Sequence, residues 1–309
     1  MAVTHIPVLL QEVITGLRPT RGQNFIDGTL GAGGHAAALL KATAPSGKLL
    51  AFDRDASVWP EAQKNLAELK SRVTFVNDSL ASLEKYVDKY KFGPVTGVLF
   101  DLGFSSLQLA SETRGFSFQT KGELDLRYDT SQSLTAADIL NTYPEQELAK
   151  IFYEYGEEKK SRALAGTIVK HRRLVPFKTV DDLLNIVYLV KGSNRRSLHP
   201  ATTIWQALRI AVNDEFNEIK QGLAGALKVL VPGGRLAVIS FHSGEDRIVK
   251  NFFRQESRNC ICPPQLPVCR CTHRATLKVI TSKPIVAKLA EVKNNPRAAS
   301  AKLRLAEKI

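Results

Sequence analysis

The sequence predicts an α/β fold: a doubly wound, largely parallel, Rossmann-like sheet interrupted by a long helical insertion. Three observations carry that prediction. A glycine-rich turn joins an apolar strand to a helical pattern at Phe25-Ile-Asp-Gly-Thr-Leu-Gly-Ala-Gly-Gly-His35. Four further apolar runs, Leu49–Asp53, Val73–Val76, Gly97–Asp101 and Arg235–Ser240, read as buried strands separated by helical patterns, the alternation that builds a parallel sheet. From about Glu112 to His199 no convincing strand pattern occurs. Residues 1–111 and 200–309 are therefore assigned to the sheet domain, and 112–199 to an inserted helical domain.

In chain order, residues 4–17 place apolar side chains at helical spacing after Pro7, a favoured first-turn residue. His5 reads as a capping or solvent-facing histidine. In the glycine turn, Gly28, Gly31, Gly33 and Gly34 let the backbone bend tightly and approach a ligand. The helix opening at Ala36 then presents its N–H groups and positive dipole end at the strand's carboxyl edge. About twenty residues on, Asp53 ends the second strand, where an acid takes ribose hydroxyls. Gly31-x-Gly33-x-x-Ala36 also fits the dinucleotide fingerprint, so an NAD-dependent oxidoreductase is one reading. Asp27, a carboxylate at the end of the first strand, argues for a cationic ligand such as S-adenosylmethionine over an anionic pyrophosphate.

A helix is expected over Val58–Leu69. The third strand follows, turning at Asn77-Asp-Ser79, which places Leu80 either against an adenine ring or in the core. The fourth strand ends at Asp101-Leu-Gly-Phe-Ser-Ser106, followed by Gln108. Asp53, Leu80 and Asp101 are expected along one sheet edge. The insertion is basic, with Lys159, Lys160, Arg162, Lys170, His171, Arg172, Arg173, Lys178, Arg195 and Arg196, which suits phosphate contacts. Arg114–Phe118 and Leu124–Asp129 suit either a flipped base or an internal salt-bridged turn. After Pro200 the sheet resumes: helix over Ala201–Val231, a turn at Pro232-Gly-Gly234, and a strand ending at Phe241, His242 and Ser243. Leu277–Ile280 and Lys302–Leu305 read as closing strands.

With 43 Lys and Arg against 30 Asp and Glu the chain carries +13 and a pI near 9.6, which favours a polyanionic partner. No apolar run reaches the eighteen or so residues of a membrane span, and the start lacks a signal-peptide pattern. The expectation is a cytoplasmic protein with no membrane partner. The four cysteines cluster as Cys260-x-Cys262 and Cys269-x-Cys271, near His273. With His273 nearby a zinc site is one reading, but structural zinc more often uses Cys-x-x-Cys, so reduced loop thiols are the preferred reading and no metal is assigned.

Taken together, His5-x-Pro-Val-Leu-Leu, Asp27-Gly-Thr-x-Gly-x-Gly-Gly-His35, Asp101-Leu-Gly-x-Ser-Ser106, Arg114-Gly-Phe-Ser-Phe118, Pro200-Ala-Thr, Gln206-Ala-Leu-Arg-Ile210, Ile239-Ser-Phe-His-Ser243, Glu245-Asp-Arg247 and Asn295-Pro-Arg297 resemble the bacterial 16S rRNA cytosine-N4 methyltransferase family of the RsmH/MraW type. The likeness runs nearly end to end. It implies a class I S-adenosylmethionine-dependent methyltransferase fold with a helical substrate-recognition insertion. The implied substrate is a decoding-site cytidine of 16S rRNA in the small ribosomal subunit. Carried over residue by residue, the implied cofactor contacts are Gly33, Gly34, His35, Asp53, Leu80, Asp101 and Gln108. From the chemistry of the Asp101-Leu-Gly-Phe104 loop, where amino-methylating enzymes often carry an acid or Asn and an aromatic, Asp101 is the candidate catalytic residue, touching either the base or only the cofactor. Phe104, Ser105, Ser106, His242 and Ser243 are the candidate substrate residues. A non-catalytic RNA-binding assembly factor is the other reading of a basic chain with this fold, and the oligomeric state stays open, a homodimer being one option. The chain departs from the family at Leu107, Leu126, Tyr128, Gly244 and Ala299. Gly244 is expected to loosen the loop presenting His242, and Ala299 to weaken RNA contact. The cysteine loop varies among relatives, so the resemblance gives no support to zinc.

Overall fold

The structure, a computed structural model, describes residues 7–105, 108–109, 113–192, 199–263, 266 and 268–309. His5, Ser106, Leu107, Arg195 and Arg196 lie outside the described residues. The chain forms two compact units, Met1–Gly103 with Phe216–Ile309, and Phe104–Glu215.

The first unit is built on a sheet in the order β3-β2-β1-β4-β5-β8-β6, with β7 also on β8. Its strands are β1 (Asn24–Asp27), β2 (Leu49–Phe52), β3 (Val73–Val76), β4 (Val95–Asp101), β5 (Leu230–Ser240), β6 (Leu277–Val279), β7 (Ile285–Val286) and β8 (Lys302–Lys308). The first five run parallel and β8 is antiparallel to its neighbours. Strand order reverses between β1 and β4. That makes the topological switch point, where open α/β sheets bind ligands outside their strands' carboxyl ends.

Both sheet faces are covered, and the strand pattern shows it. Phe25, Leu49, Ala51, Leu99, Ala237 and Ile239 enter one core with residues of α1 (Leu10–Leu17) and α2 (Gly34–Ala42). Their neighbours Ile26, Leu50, Phe52, Val98, Phe100, Leu236 and Val238 enter the other. That second core includes Leu83 of α4 (Leu83–Tyr90), and Ile219, Leu223 and Ala226 of the helix Glu215–Val229. Period-two side chains buried on both faces explain why these strands read as unbroken apolar runs.

Two expectations change in detail. The helix expected over Val58–Leu69 is α3 (Trp59–Asn65) between two 3₁₀ turns, Ala56–Val58 and Ala67–Arg72. Pro232-Gly-Gly234 does not precede the strand but lies within β5. Its pairing with β4 jumps from Val95 opposite Leu230 to Gly97 opposite Arg235, and Gly233 takes φ +79°, so the extra residues are absorbed as a bulge.

The second unit is helical: α5 (Ala136–Thr142), α6 (Glu145–Glu154), α7 (Ser161–Arg172), α8 (Val180–Lys191) and α9 (Thr202–Asn213), numbering the helix Glu215–Val229 as α10. Two capping boxes, Thr135 with Asp138 and Thr179 with Asp182, start α5 and α8. The helix beginning near Ala201 was expected with the resumed sheet domain. Instead α9 belongs to this unit, because Ile204, Trp205, Ala207, Leu208 and Val212 bury their side chains with Phe116, Leu140, Phe152 and Leu164 in one core. Leu124–Asp129 is an internal salt-bridged turn: Arg127 forks onto both oxygens of Asp125 at 2.6 and 2.8 Å. Tyr128 stacks on Phe116, and its N–H donates to Asn213.

Candidate active site

The carboxyl edge of the first unit's sheet gathers the residues picked out around the glycine turn. β1 delivers Asp27, which is 1% exposed, and the chain turns at once. The N–H of Thr29 donates to Asp27 Oδ1 at 3.1 Å, and that of Gly28 to the carbonyl of Leu99 at 2.9 Å. Gly28 sits where a Cβ would meet the Phe100 ring at 2.5 Å, so only glycine lets β1 and β4 close there. Gly33 caps α2 at φ +80°, and Gly34 begins the helix against Pro7. The turn is therefore held from below by packing and opens its N–H groups to the edge.

The turn is tied to its neighbouring strands by hydrogen bonds. Asp53, just past β2 and half-buried, accepts from the N–H of Gly31 and of Asp55, both at 2.9 Å. At the end of β4 the Asp101 N–H donates to Thr29 Oγ1 at 2.6 Å. His35 is buried, with Nε2 3.7 Å from Asp101 Oδ2. Asp101 Oδ1 is buried with no hydrogen-bond partner among the described residues, which suits a carboxylate oxygen that faces a ligand.

Burial pushes all three carboxyls well above the ordinary range: Asp27 to about 7, with Asp53 nearby raising it further; Asp53 to about 6; and Asp101 to about 8, with Asp27 adding to the rise. These acids crowd around one turn, each disfavouring the other's charge. A cation placed among them would favour their ionised forms, and an anion would oppose them.

Other expected residues are placed differently. Leu80 is buried in the core, next to Gly28 and packed on Gly222 of α10, so its side chain is a core leucine. His242 caps α11 (Ser243–Glu256), its Nε2 3.2 Å from Glu245 Oε1. The other Glu245 oxygen accepts the Phe241 N–H at 2.7 Å. Ser243 is exposed in the first turn. Gly244 does not loosen this segment, because a Cβ there would meet Phe216 at 2.5 Å and His242 at 3.2 Å. The absent side chain lets α11 start in close packing. Ala299 is exposed in the 3₁₀ turn Pro296–Ser300.

Three residues in the second unit carry expectations too. Gln108 is buried and accepts the Ser105 N–H at 2.7 Å. Phe104 lies under the Arg209 guanidinium, 4.9 Å from ring centre, and Arg209 pairs with Glu215 at 2.8 Å. Arg172, expected on phosphates, instead donates to the carbonyls of Leu140 and Tyr143 at 2.8 and 2.7 Å and finishes α5.

Sequence reasoning missed Thr29, Glu245 and Arg297 as parts of this edge. Arg297 is half-buried, and its charge favours the ionised form of Asp101. The Asn295-Pro-Arg297 motif was the available signal, but its distance of nearly two hundred residues from Asp101 hid the pairing.

Residues 2–309 match the MraW methylase family. A protein of Thermomicrobium roseum named ribosomal RNA small subunit methyltransferase H is 47% identical over 309 residues, covering 100% of this chain and 95% of its own. Proteins of the same name from Carboxydothermus hydrogenoformans and Dehalococcoides mccartyi are each 46% identical, covering 100% and 99% of this chain and 99% and 86% of theirs. A whole-length match, together with relatives this similar over nearly the whole of both chains, shows that the chain belongs to the MraW methylase family.

Proposed function

We propose that this protein transfers a methyl group from S-adenosylmethionine to the N4 amine of a decoding-site cytidine in 16S rRNA of the small ribosomal subunit. The observation that carries the cofactor assignment is the gathering of three carboxyls, buried Asp27 and part-buried Asp53 and Asp101, around the glycine turn. A cation beside these carboxyls draws them into the ionised form and is held by it, whereas an anion gains nothing there, which favours S-adenosylmethionine over the dinucleotide reading of Gly31-x-Gly33-x-x-Ala36. Small-subunit rRNA as substrate is supported by the name its relatives share and by the net charge of +13.

The cofactor supplies an electrophilic methyl group. Gly33 and Gly34 would receive it at the head of α2, with His35 beneath and Asp53 taking the ribose hydroxyls. The resemblance adds Leu80 and Gln108 to these contacts, and Phe104, Ser105, Ser106, His242 and Ser243 are the candidate substrate residues. Asp101, ionised more readily once a cationic group lies beside it, would accept a hydrogen bond from the cytosine amine. That restores lone-pair density on N4 and orients it for in-line attack. Methylation at cytosine C5 requires a thiolate nucleophile at this edge. The four cysteines all lie beyond the far end of α11, whose fourteen residues span about 21 Å.

The reading is tested by incubating unmethylated small subunits with the protein and radiolabelled S-adenosylmethionine. Label appearing in rRNA supports it. Binding without transfer, in a preparation where a control methyltransferase works, favours the non-catalytic assembly factor.

A further inference from the structure

The loop joining α11 to β6 holds all four cysteines of the chain, and it folds so that their sulfurs converge. Cys269 Sγ lies 3.6 Å from Cys271 Sγ, and Cys271 Sγ lies 3.7 Å from Cys260 Sγ. All four sulfurs are within 4.8 Å of one another. A disulfide brings its sulfurs to about 2.05 Å, so none of these pairs is bonded. Four thiolates about 2.3 Å from one tetrahedral zinc ion are about 3.8 Å apart, which matches the close pairs. A cluster of several irons spreads its cysteines around a wider cage than this group spans.

The surroundings suit thiolates. The N–H of Cys262 points to Cys260 Sγ and that of Arg270 to Cys262 Sγ, both at 3.4 Å. N–H groups aimed at sulfur in this way stabilise a metal-bound thiolate. His273 is turned away, its Nε2 3.1 Å from the Gln255 carbonyl, so the donor set is four sulfurs. The neck of the loop is closed separately. Thr276 donates to Glu256 through both N–H and hydroxyl at 2.8 and 2.7 Å, and Ala275 N–H donates to Asn259 at 3.2 Å. Among the described residues of the tip no apolar side chain is buried, and Ile261, Leu266 and Val268 are exposed. The Cys-x-Cys spacing argued against a metal in the sequence, but here both pairs lie in irregular backbone, so neighbouring thiols need not alternate sides as they would in a strand.

We propose that Cys260, Cys262, Cys269 and Cys271 bind a single structural zinc ion that cross-links the two ends of this loop. The full-length protein, purified with reductant and without added metal, should contain about one zinc per chain by plasma mass spectrometry after dialysis against a weak chelator. Its four thiols should react with a disulfide reagent only after a strong chelator removes the ion. Cobalt should replace the zinc and give the visible bands of a tetrahedral tetrathiolate. Cys262→Ser and Cys269→Ser should each lose stoichiometric metal while the protein stays folded by circular dichroism. If either variant fails to fold, the measurements on the unmodified chain still decide. Zinc far below one per chain with no tetrahedral cobalt spectrum overturns the proposal. So do stoichiometric iron in its place, thiols that react fully without chelator, or two disulfides formed under reductant.

Discussion

Replacing Asp101 by Asn should make the cofactor-free protein more stable at alkaline pH while weakening its site. The Asp101 carboxyl is held at about 8 against 3.8 in the unfolded chain. A group whose folded proton affinity is raised in this way lets the unfolded chain lose its proton first. Folded stability then falls as pH rises from about 4 to about 8 and is level above that. Each tenfold step in proton affinity is about 1.4 kcal/mol, which caps the penalty at on the order of 5 kcal/mol. With local relaxation, a few kcal/mol is expected. For a chain of this length that is a midpoint shift of about 5 °C. Asn keeps the shape and removes the titration. The difference in Tm between Asp101→Asn and the parent, measured by calorimetry in matched buffers, should be small near pH 4 and grow until about pH 8. S-adenosylmethionine binding by the variant should be weaker at every pH. A Tm difference that stays flat from pH 4 to 9 would refute the reasoning that burial, rather than a bound counter-charge, sets the state of this carboxyl.

Further outcomes follow from the same geometry. Asp53→Ala should weaken S-adenosylmethionine binding by about 1.5–3 kcal/mol, through lost charge-assisted hydrogen bonds; calorimetric titration showing unchanged affinity would place the ribose elsewhere. Gly33→Ala should lower stability by about 1–2 kcal/mol, because alanine is strained at φ +80° and its Cβ would lie 3.1 Å from Leu66; an unaltered unfolding midpoint contradicts this. Arg172→Ala should destabilise the protein by about 1–3 kcal/mol by stripping donors from the Leu140 and Tyr143 carbonyls, yet leave the salt dependence of RNA binding unchanged. Arg173→Ala, at an exposed position, should instead reduce the log–log salt slope by roughly 0.7–0.9 if that side chain meets a phosphate; the two variants measured side by side separate the roles.

The glycine turn and the strand-end acids were legible in the sequence because each is local. A buried strand, a run of glycines and a terminal carboxylate all fall within a dozen residues at Phe25–His35, and the edge position of Asp53 and Asp101 follows from strand alternation alone. What was not legible depends on contacts across long sequence separations. Leu80 is a core leucine because Gly222, far along the chain, leaves room for it. Gly244 looked like a loosened loop because Phe216, against which it packs, could not be placed from sequence. Arg172 looked like a phosphate ligand because its carbonyl partners lie about thirty residues upstream. The helix α9 was placed with the sheet for a related reason: its amphipathic pattern shows that one face is buried, but not against what.

The most direct test of the central assignment is nucleoside mass spectrometry of decoding-region rRNA from unmethylated small subunits, treated with S-adenosylmethionine and either the protein or its Asp53→Ala variant. The account predicts N4-methylcytidine at one decoding-site position with the parent protein and strongly reduced conversion with the variant. Unmodified cytidine in both samples, or a methyl group on C5 or on another nucleoside, would contradict it.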